Sequence, residues 1–153
     1  MITTKANIAN VLRNLYFSKN QPISLVHFVT NRCNARCSFC FIDFDNPKTF
    51  EGELSLDEIE ELTKNLGDSI LNVNLTGGEP FARKDLIEIA KAYLKNSTIQ
   101  SIYITTNASL PERIKNFAEE ISTFEKTLEA SIEDNTSTPS SAEDSILKKI
   151  QSK

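Results

Sequence analysis

Two hydrophobic periodicities alternate along this chain of 153 residues, and that alternation limits its fold more than any other feature. Short runs of β-branched and aromatic residues predict strands, and apolar residues spaced three or four apart predict amphipathic helices. The predicted strands span residues 22–30, 69–76, 99–106 and 126–132. The predicted helices span residues 5–18, 55–67, 83–95 and 109–121. Strands and helices of this length form right-handed βαβ units, so we expect an α/β fold with about four parallel β-α units behind an N-terminal helix.

The same pattern divides the chain into three segments. Residues 1–21 contain the predicted N-terminal helix, and residues 22–133 contain the β-α units. Residues 134–153 form a polar, turn-rich tail with room for a short helix. The whole length is that of one domain.

Charge and hydropathy argue against several classes of partner. The net charge is −4 and the sequence contains no basic run, so we expect neither nucleic acid nor an anionic membrane as the main partner. The N-terminus lacks the apolar run of a secretory signal, and no stretch reaches the roughly 18 apolar residues of a membrane span. We therefore expect a cytoplasmic protein. In that compartment, clustered cysteines more often bind metal or do redox chemistry than form disulfides.

All three cysteines fall in the run RCNARCSFCF, directly after the first predicted strand. Cys33, Cys37 and Cys40 have the spacing C-x3-C-x2-C, and there is no fourth cysteine. Thiolates are the usual ligands of iron–sulfur clusters, and a set of three leaves one iron open. That open iron could bind a substrate or cofactor, just as catalytic zinc sites keep one coordination position open. A structural zinc site is the alternative, because His27 would complete a Cys3His set.

Other unusual residues also stand at the ends of predicted strands. Gly77-Gly78-Glu79-Pro80 follows the second strand, Asn107 follows the third, and Ser131 lies at the end of the fourth. Ligand sites of parallel α/β folds lie at the carboxyl ends of the strands, so we expect these residues to share one site with the cysteines. The two glycines would allow the backbone close to a ligand, and Glu79 offers a carboxylate for an ammonium group.

At these positions the sequence resembles the radical S-adenosylmethionine (radical SAM) family. The run CNARCSFC is similar to the family's cysteine motif, with Phe39 at the aromatic position before the last cysteine. TGGEP resembles the second motif, and TTNA resembles the TNG that follows the third strand. The run TNRCNARCSFCF is most similar to the branch of molybdenum-cofactor biosynthesis enzymes and peptide maturases. The resemblance covers residues 22–135 approximately.

This resemblance implies two cofactors and a reaction. In the family, S-adenosylmethionine binds the open iron of a [4Fe–4S] cluster, and one electron cleaves its C5′–sulfur bond to give a 5′-deoxyadenosyl radical that removes hydrogen from a substrate. The implied cluster ligands are Cys33, Cys37 and Cys40. The implied cofactor-binding residues are Phe39, Gly77, Gly78, Glu79, Pro80, Asn107 and Ser131. No catalytic protein base is implied, because the cofactors carry the chemistry. The substrate is unknown, and the implied electron donor is a flavodoxin or ferredoxin.

The family barrel has six β-α units, so the resemblance implies a partial (β/α)6 barrel here. We expect a fragment of a longer enzyme. Two alternatives are a half-barrel completed by a second copy or another subunit, and a remnant without full catalysis. The alternative function is a non-catalytic module that binds iron–sulfur or zinc.

Overall fold

The computed structural model describes residues 2–3, 16, 22–67 and 69–136. Its strands are β1 (Ile2–Thr3), β2 (Ser24–Thr30), β3 (Asn72–Gly77) and β4 (Ser101–Ile104). Its helices are α1 (Leu56–Lys64), α2 (Leu86–Asn96) and α3 (Pro111–Thr136), with short 3-10 helices at Pro47–Phe50 and Pro80–Ala82. From β2 onward, strands and helices alternate as the two periodicities predict.

The strands form one sheet in the order β1-β4-β3-β2. β2 pairs in parallel with β3, starting with Ser24 opposite Asn72, and β3 pairs in parallel with β4, starting with Asn72 opposite Ser101. Neighbouring parallel strands connected by helices confirm the predicted α/β class.

The helices cover one face of this sheet. Alternate strand residues point into that face, and Val29, Val73 and Leu75 are fully buried there. They pack with helix residues in a single core that also contains Ile59, Ile89, Tyr93, Phe117 and Ile121. The opposite face carries exposed apolar side chains, since Phe28 is 49% exposed and Tyr103 is 42% exposed. Among the described residues, the sheet is therefore covered on one side.

Helix α1 begins with the capping box that the sequence predicts. The hydroxyl of Ser55 accepts the Glu58 N–H at 3.3 Å, and the Glu58 carboxylate accepts the Ser55 N–H at 2.8 Å. The hydrogen bonds from the backbone and then the side chain of Ser55 hold the pKa of Glu58 below its ordinary value. Two otherwise unpaired donors at the helix start are thereby satisfied.

The predicted fourth strand, residues 126–132, is wrong, because this segment belongs to α3 (Pro111–Thr136). The helical stripe continues into it, since Phe117, Ile121 and Leu128 are four and seven residues apart. The segment also consists largely of Lys, Leu, Glu and Ala, which are strong helix formers. The described residues contain three parallel strands instead of the predicted four.

Strand β1 was not predicted, because two residues carry no recognisable periodicity. It pairs antiparallel with β4, with Ile2 opposite Ile102. The helix predicted over residues 5–18 lies outside the described residues except for Tyr16, which is helical. The part of the predicted tail after residue 136 also lies outside them. None of the helices that the structure describes is long and apolar enough to cross a membrane.

Candidate functional site

Three loops meet at the carboxyl ends of the parallel strands. The cysteine loop (residues 31–40) follows β2, the glycine turn (residues 77–80) closes β3, and the β4 loop (residues 105–110) follows β4. Because the three strands are parallel neighbours, these loops lie at the same edge of the sheet. Three of the four segments expected at the site are therefore brought together.

The two glycines let the glycine turn lie directly against the cysteine loop. The N–H of Gly78 donates to the Thr30 carbonyl at 2.7 Å, and the N–H of Glu79 donates to the Arg32 carbonyl at 2.9 Å. A Cβ on Gly77 would lie 2.0 Å from the Thr30 oxygen, and one on Gly78 would lie 2.2 Å from the Arg32 oxygen. Gly77 therefore approaches the end of β2 and Gly78 approaches the cysteine loop, while the contact of these glycines with a ligand stays a prediction.

The cysteine loop presents three free thiols, of which Cys37 and Cys40 are exposed and Cys33 is half-buried. The Ala35 N–H donates to Cys33 Sγ at 3.4 Å, and the Cys40 N–H donates to the Cys37 carbonyl at 3.1 Å. Each thiolate of a cubane cluster binds a different iron, so such thiols need not converge on one point. A set of three free thiols on one loop fits the ligand requirements of an iron–sulfur cluster with an open iron.

His27, the fourth ligand in the zinc alternative, has a different partner. Its Nδ1 lies 2.9 Å from the Tyr93 hydroxyl, on the face of the sheet that the helices cover. Burial, and secondarily the charge of Arg83, hold the pKa of His27 below its ordinary value of 6.5. In the described part of the chain, no three His, Cys, Asp or Glu side chains are grouped to hold a single metal ion. His27 is therefore a half-buried residue that is hydrogen-bonded to Tyr93.

Asn107 joins the β4 loop to the cysteine loop. Its Nδ2 lies 3.0 Å from Asn34 Oδ1 and 3.9 Å from Cys33 Sγ. Its Oδ1 accepts the Ser109 N–H at 2.9 Å, and the Ser109 hydroxyl accepts a hydrogen bond from Asn34 at 2.7 Å. These three polar residues form a ring of hydrogen bonds beside the first cysteine. Asn107 was predicted from the sequence, but the other two were not, because they are ordinary turn residues by type.

Glu79 is fully buried, with an exposed fraction of 0%. Its Oε1 accepts the Phe81 N–H at 3.0 Å and the Thr106 hydroxyl at 2.8 Å. Its Oε2 accepts the Asn107 N–H at 2.8 Å. The donors around this carboxylate belong to the chain, and its contact with a ligand's ammonium group stays a prediction.

A second carboxylate, missed in the sequence analysis, supports the start of the cysteine loop. Glu53 Oε1 accepts the Thr30 hydroxyl at 2.7 Å and the Asn31 N–H at 3.2 Å. The Thr30 hydroxyl in turn accepts the Arg32 N–H at 3.0 Å. A glutamate in the loop before a helix belongs to no recognisable motif, so this contact was not predictable from the sequence.

Arg83 was also missed, and its nearly buried guanidinium joins three segments. It donates to the carbonyl of Val29 in β2, to the carbonyl of Leu54 at 2.7 Å, and to Asp85 at 2.8 Å. The hydrogen bond from Arg83 holds the pKa of Asp85 below its ordinary value. This residue fixes the end of β2, from which the cysteine loop starts.

The remaining predicted residues have three different surroundings. Pro80 is fully buried and begins a 3-10 helix, whereas Phe39 is 88% exposed on the cysteine loop. Ser131 does not lie at a strand end, because α3 has replaced the predicted strand. At 1.5 Å per residue, its position is about 30 Å along the helix axis from Pro111. The structure therefore does not place Ser131 with the other predicted residues.

Comparison with known proteins gives a family match that includes these loops. The family model described as "Radical SAM superfamily" matches residues 28–150. The chain is also 45% identical over 84 residues to the GTP 3′,8-cyclase of Cronobacter sakazakii (strain ATCC BAA-894). That alignment covers 52% of this chain and 25% of the relative, so the chain spans about a quarter of the curated relative's length.

Proposed function

The chain belongs to the radical SAM superfamily, and on that premise we propose that it takes part in the reductive cleavage of S-adenosylmethionine. Cys33, Cys37 and Cys40 would hold a [4Fe–4S] cluster with one iron open to the cofactor. One observation carries the proposal: three free thiols lie on a loop that the neighbouring strand ends hold in place. A purely structural metal site has no need of an open ligand position.

The residues of the chain bind and orient the cofactors in this proposal. When bound, the cluster and S-adenosylmethionine supply a 5′-deoxyadenosyl radical for hydrogen abstraction from the substrate. The glycine turn fixes the end of β2 through the Gly78 N–H and the cysteine loop through the Glu79 N–H. Asn107 places an amide beside Cys33, and the exposed Phe39 is available to an adenine ring. The protein contributes geometry and hydrogen bonds, while the cofactors contribute the reactivity.

We further propose that this chain is the radical-generating part of a larger catalytic unit. Its identity to a cyclase over 84 residues supports related chemistry, but it covers only 25% of that enzyme. The exposed apolar residues Val26, Phe28 and Tyr103 lie on the uncovered face of the sheet. Burying such a face is favourable, so further strands from a longer chain, a second copy or another subunit would complete the barrel here.

The electron donor and the compartment follow from the same chemistry. A cluster of this type takes one electron at a time, which suits a flavodoxin or a ferredoxin as the donor. We propose a cytoplasmic location, because a reducing compartment keeps the three thiols free for iron. In this proposal, the substrate binds to the remaining part of the catalytic unit.

The test is formation of 5′-deoxyadenosine by the anaerobically reconstituted chain, with dithionite as the reductant. We expect the product to require both dithionite and S-adenosylmethionine. Cys37→Ala should lose iron and sulfide together with the product. Ser38→Ala, a change at the neighbouring exposed position of the same loop, is the matched control and should retain both.

The outcomes separate the proposed enzyme from the alternative module. Full iron and sulfide loading in Cys37→Ala would contradict the assignment of the cluster ligands. A wild-type chain that binds a cluster without forming 5′-deoxyadenosine would favour a non-catalytic module or a partner-dependent site. Adding the remaining barrel units in trans would then distinguish these two, because only the partner-dependent site regains product formation.

A further inference from the structure

Glu79 contacts two loops: the cysteine loop, which contains Cys33, and the β4 loop, which lies beside it. Its main-chain N–H donates to the Arg32 carbonyl in the cysteine loop at 2.9 Å. Its carboxylate accepts the N–H of Asn107 and the hydroxyl of Thr106 in the β4 loop, both at 2.8 Å. The side chain is 0% exposed. One residue therefore joins the cysteine loop through its backbone to the β4 loop through its carboxylate.

Asn107 extends this connection to a thiol. Its backbone N–H binds Glu79, and its side-chain Nδ2 lies 3.9 Å from Cys33 Sγ and 3.0 Å from Asn34 Oδ1. Hydrogen bonds to the ligand sulfurs are among the features that set the reduction potential of iron–sulfur clusters. A group that fixes the backbone of Asn107 therefore also fixes a donor beside the Cys33 sulfur.

We propose that Glu79 is a positioning residue, whose buried carboxylate fixes the Thr106–Asn107 turn and through it the amide beside Cys33, and that it does not bind the cofactor's ammonium group. Three donors of the chain already occupy this carboxylate, counting the Phe81 N–H at 3.0 Å. The remaining acceptor site on Oε2 is enclosed as well, because no part of the side chain is exposed, so an ammonium group could reach it only if the surrounding loops moved apart. The significance for catalysis rests on the proposed function, but the contacts belong to the chain alone.

The first test uses the full chain without cofactors. In Glu79→Gln, one acceptor oxygen becomes an NH2 donor, so the Phe81 or the Asn107 amide loses its acceptor. We expect hydrogen exchange at one of these amides to accelerate at least roughly tenfold, equivalent to about 1.4 kcal/mol. Thr106→Val, which removes one donor to Glu79, should act in the same direction. Glu88→Gln, the same change at an exposed position of α2, should leave both amides unaffected.

A second readout in the same proteins reports on the thiol itself. Alkylation of Cys33 should become several-fold faster in Glu79→Gln relative to Cys37 and Cys40, which are exposed and serve as internal references. Unchanged exchange at both amides would overturn the proposal. Equal acceleration of all three cysteines would also overturn it, because that result indicates general loosening of the fold.

The cofactor test follows on reconstituted protein, with S-adenosylmethionine and an analogue that lacks the amino group. If Glu79 positions the site, Glu79→Gln weakens binding of both molecules by the same factor. A loss confined to S-adenosylmethionine would show a direct ammonium contact and overturn the proposal. If the wild-type chain binds neither molecule, the proposed function fails, while the exchange and alkylation results still decide the role of Glu79.

Discussion

A methyl group at position 78 should push the glycine turn away from the cysteine loop. In Gly78→Ala, the added Cβ would lie 2.2 Å from the Arg32 carbonyl oxygen, 2.6 Å from its carbonyl carbon and 2.9 Å from the Asn31 oxygen. All three are backbone atoms, so no side-chain rotation relieves the overlap. Ordinary contact requires the two segments to separate by roughly 1 Å.

That separation breaks two hydrogen bonds, Gly78 to Thr30 at 2.7 Å and Glu79 to Arg32 at 2.9 Å. Each contributes about 1 kcal/mol, and overpacking in a tight site costs about 1–3 kcal/mol more. We therefore expect Gly78→Ala to lower the free energy of unfolding by roughly 3–5 kcal/mol. This is a large part of the total stability of a small domain, which is about 5–15 kcal/mol.

Gly52→Ala is the matched control, because a methyl group at position 52 has free space around it. Gly52 has φ of +78°, and a Cβ there would meet no atom within 4 Å. Its substitution should cost only the strain of a left-handed backbone, about 1–2 kcal/mol. Urea denaturation of the iron-free variants, followed by circular dichroism, measures both. If Gly78→Ala destabilises the chain no more than Gly52→Ala does, the close approach of the two loops is refuted.

Two further predictions concern pH and backbone strain. The pKa of His27 is held below 6.5 chiefly by burial, so the unfolded chain binds more protons there and stability is lost as the pH falls below 6.5. The urea concentration at the unfolding midpoint should decrease as the pH is lowered from about 7.5 to about 5.5. The decrease should be smaller in His27→Gln, and equal decreases in the two proteins would contradict this prediction. Ala108 has φ of +58°, which glycine adopts without strain, so Ala108→Gly should raise the free energy of unfolding by up to about 1 kcal/mol. A lower Tm in thermal denaturation would contradict that prediction.

Local patterns in the sequence predicted most of the described fold. The segments that became β2, β3 and β4 have the β-branched composition of buried strands, and α1 begins at its predicted capping box of Ser55 and Glu58. The edge at which the three loops meet was also predictable, because it follows from parallel pairing alone. These features depend on neighbours in sequence or on a general topological rule.

The prediction of a fourth strand failed because a short apolar run fits both the strand and the helix periodicity. Residues 126–132 satisfy a strand pattern, but the helical stripe through Ile121 and Leu128 and the strong helix formers decided the outcome. Nothing local distinguishes a strand of this composition from the end of a long helix. Ser131 was assigned to the site on the strength of that strand, and the structure places it in α3 and not at a strand end.

The supporting residues of the site were not predictable, because their roles depend on distant contacts. Glu79 stands in a recognisable motif, but only the fold shows that its carboxylate reaches the β4 loop 28 residues later. Arg83 binds a carbonyl 54 residues earlier, and Glu53 binds Thr30 across 23 residues. Contacts between residues so far apart in the sequence leave no periodic pattern. A motif therefore shows which residues are unusual, but it does not show which residues they contact.

Electron paramagnetic resonance on the anaerobically reconstituted and reduced chain, with and without S-adenosylmethionine, shows whether the cluster has an open iron that binds the cofactor. Three thiols leave one iron without a protein ligand. We therefore predict a [4Fe–4S]+ signal that shifts when S-adenosylmethionine is added. A cluster signal that is the same with and without the cofactor, or zinc retained in place of iron, would contradict the account.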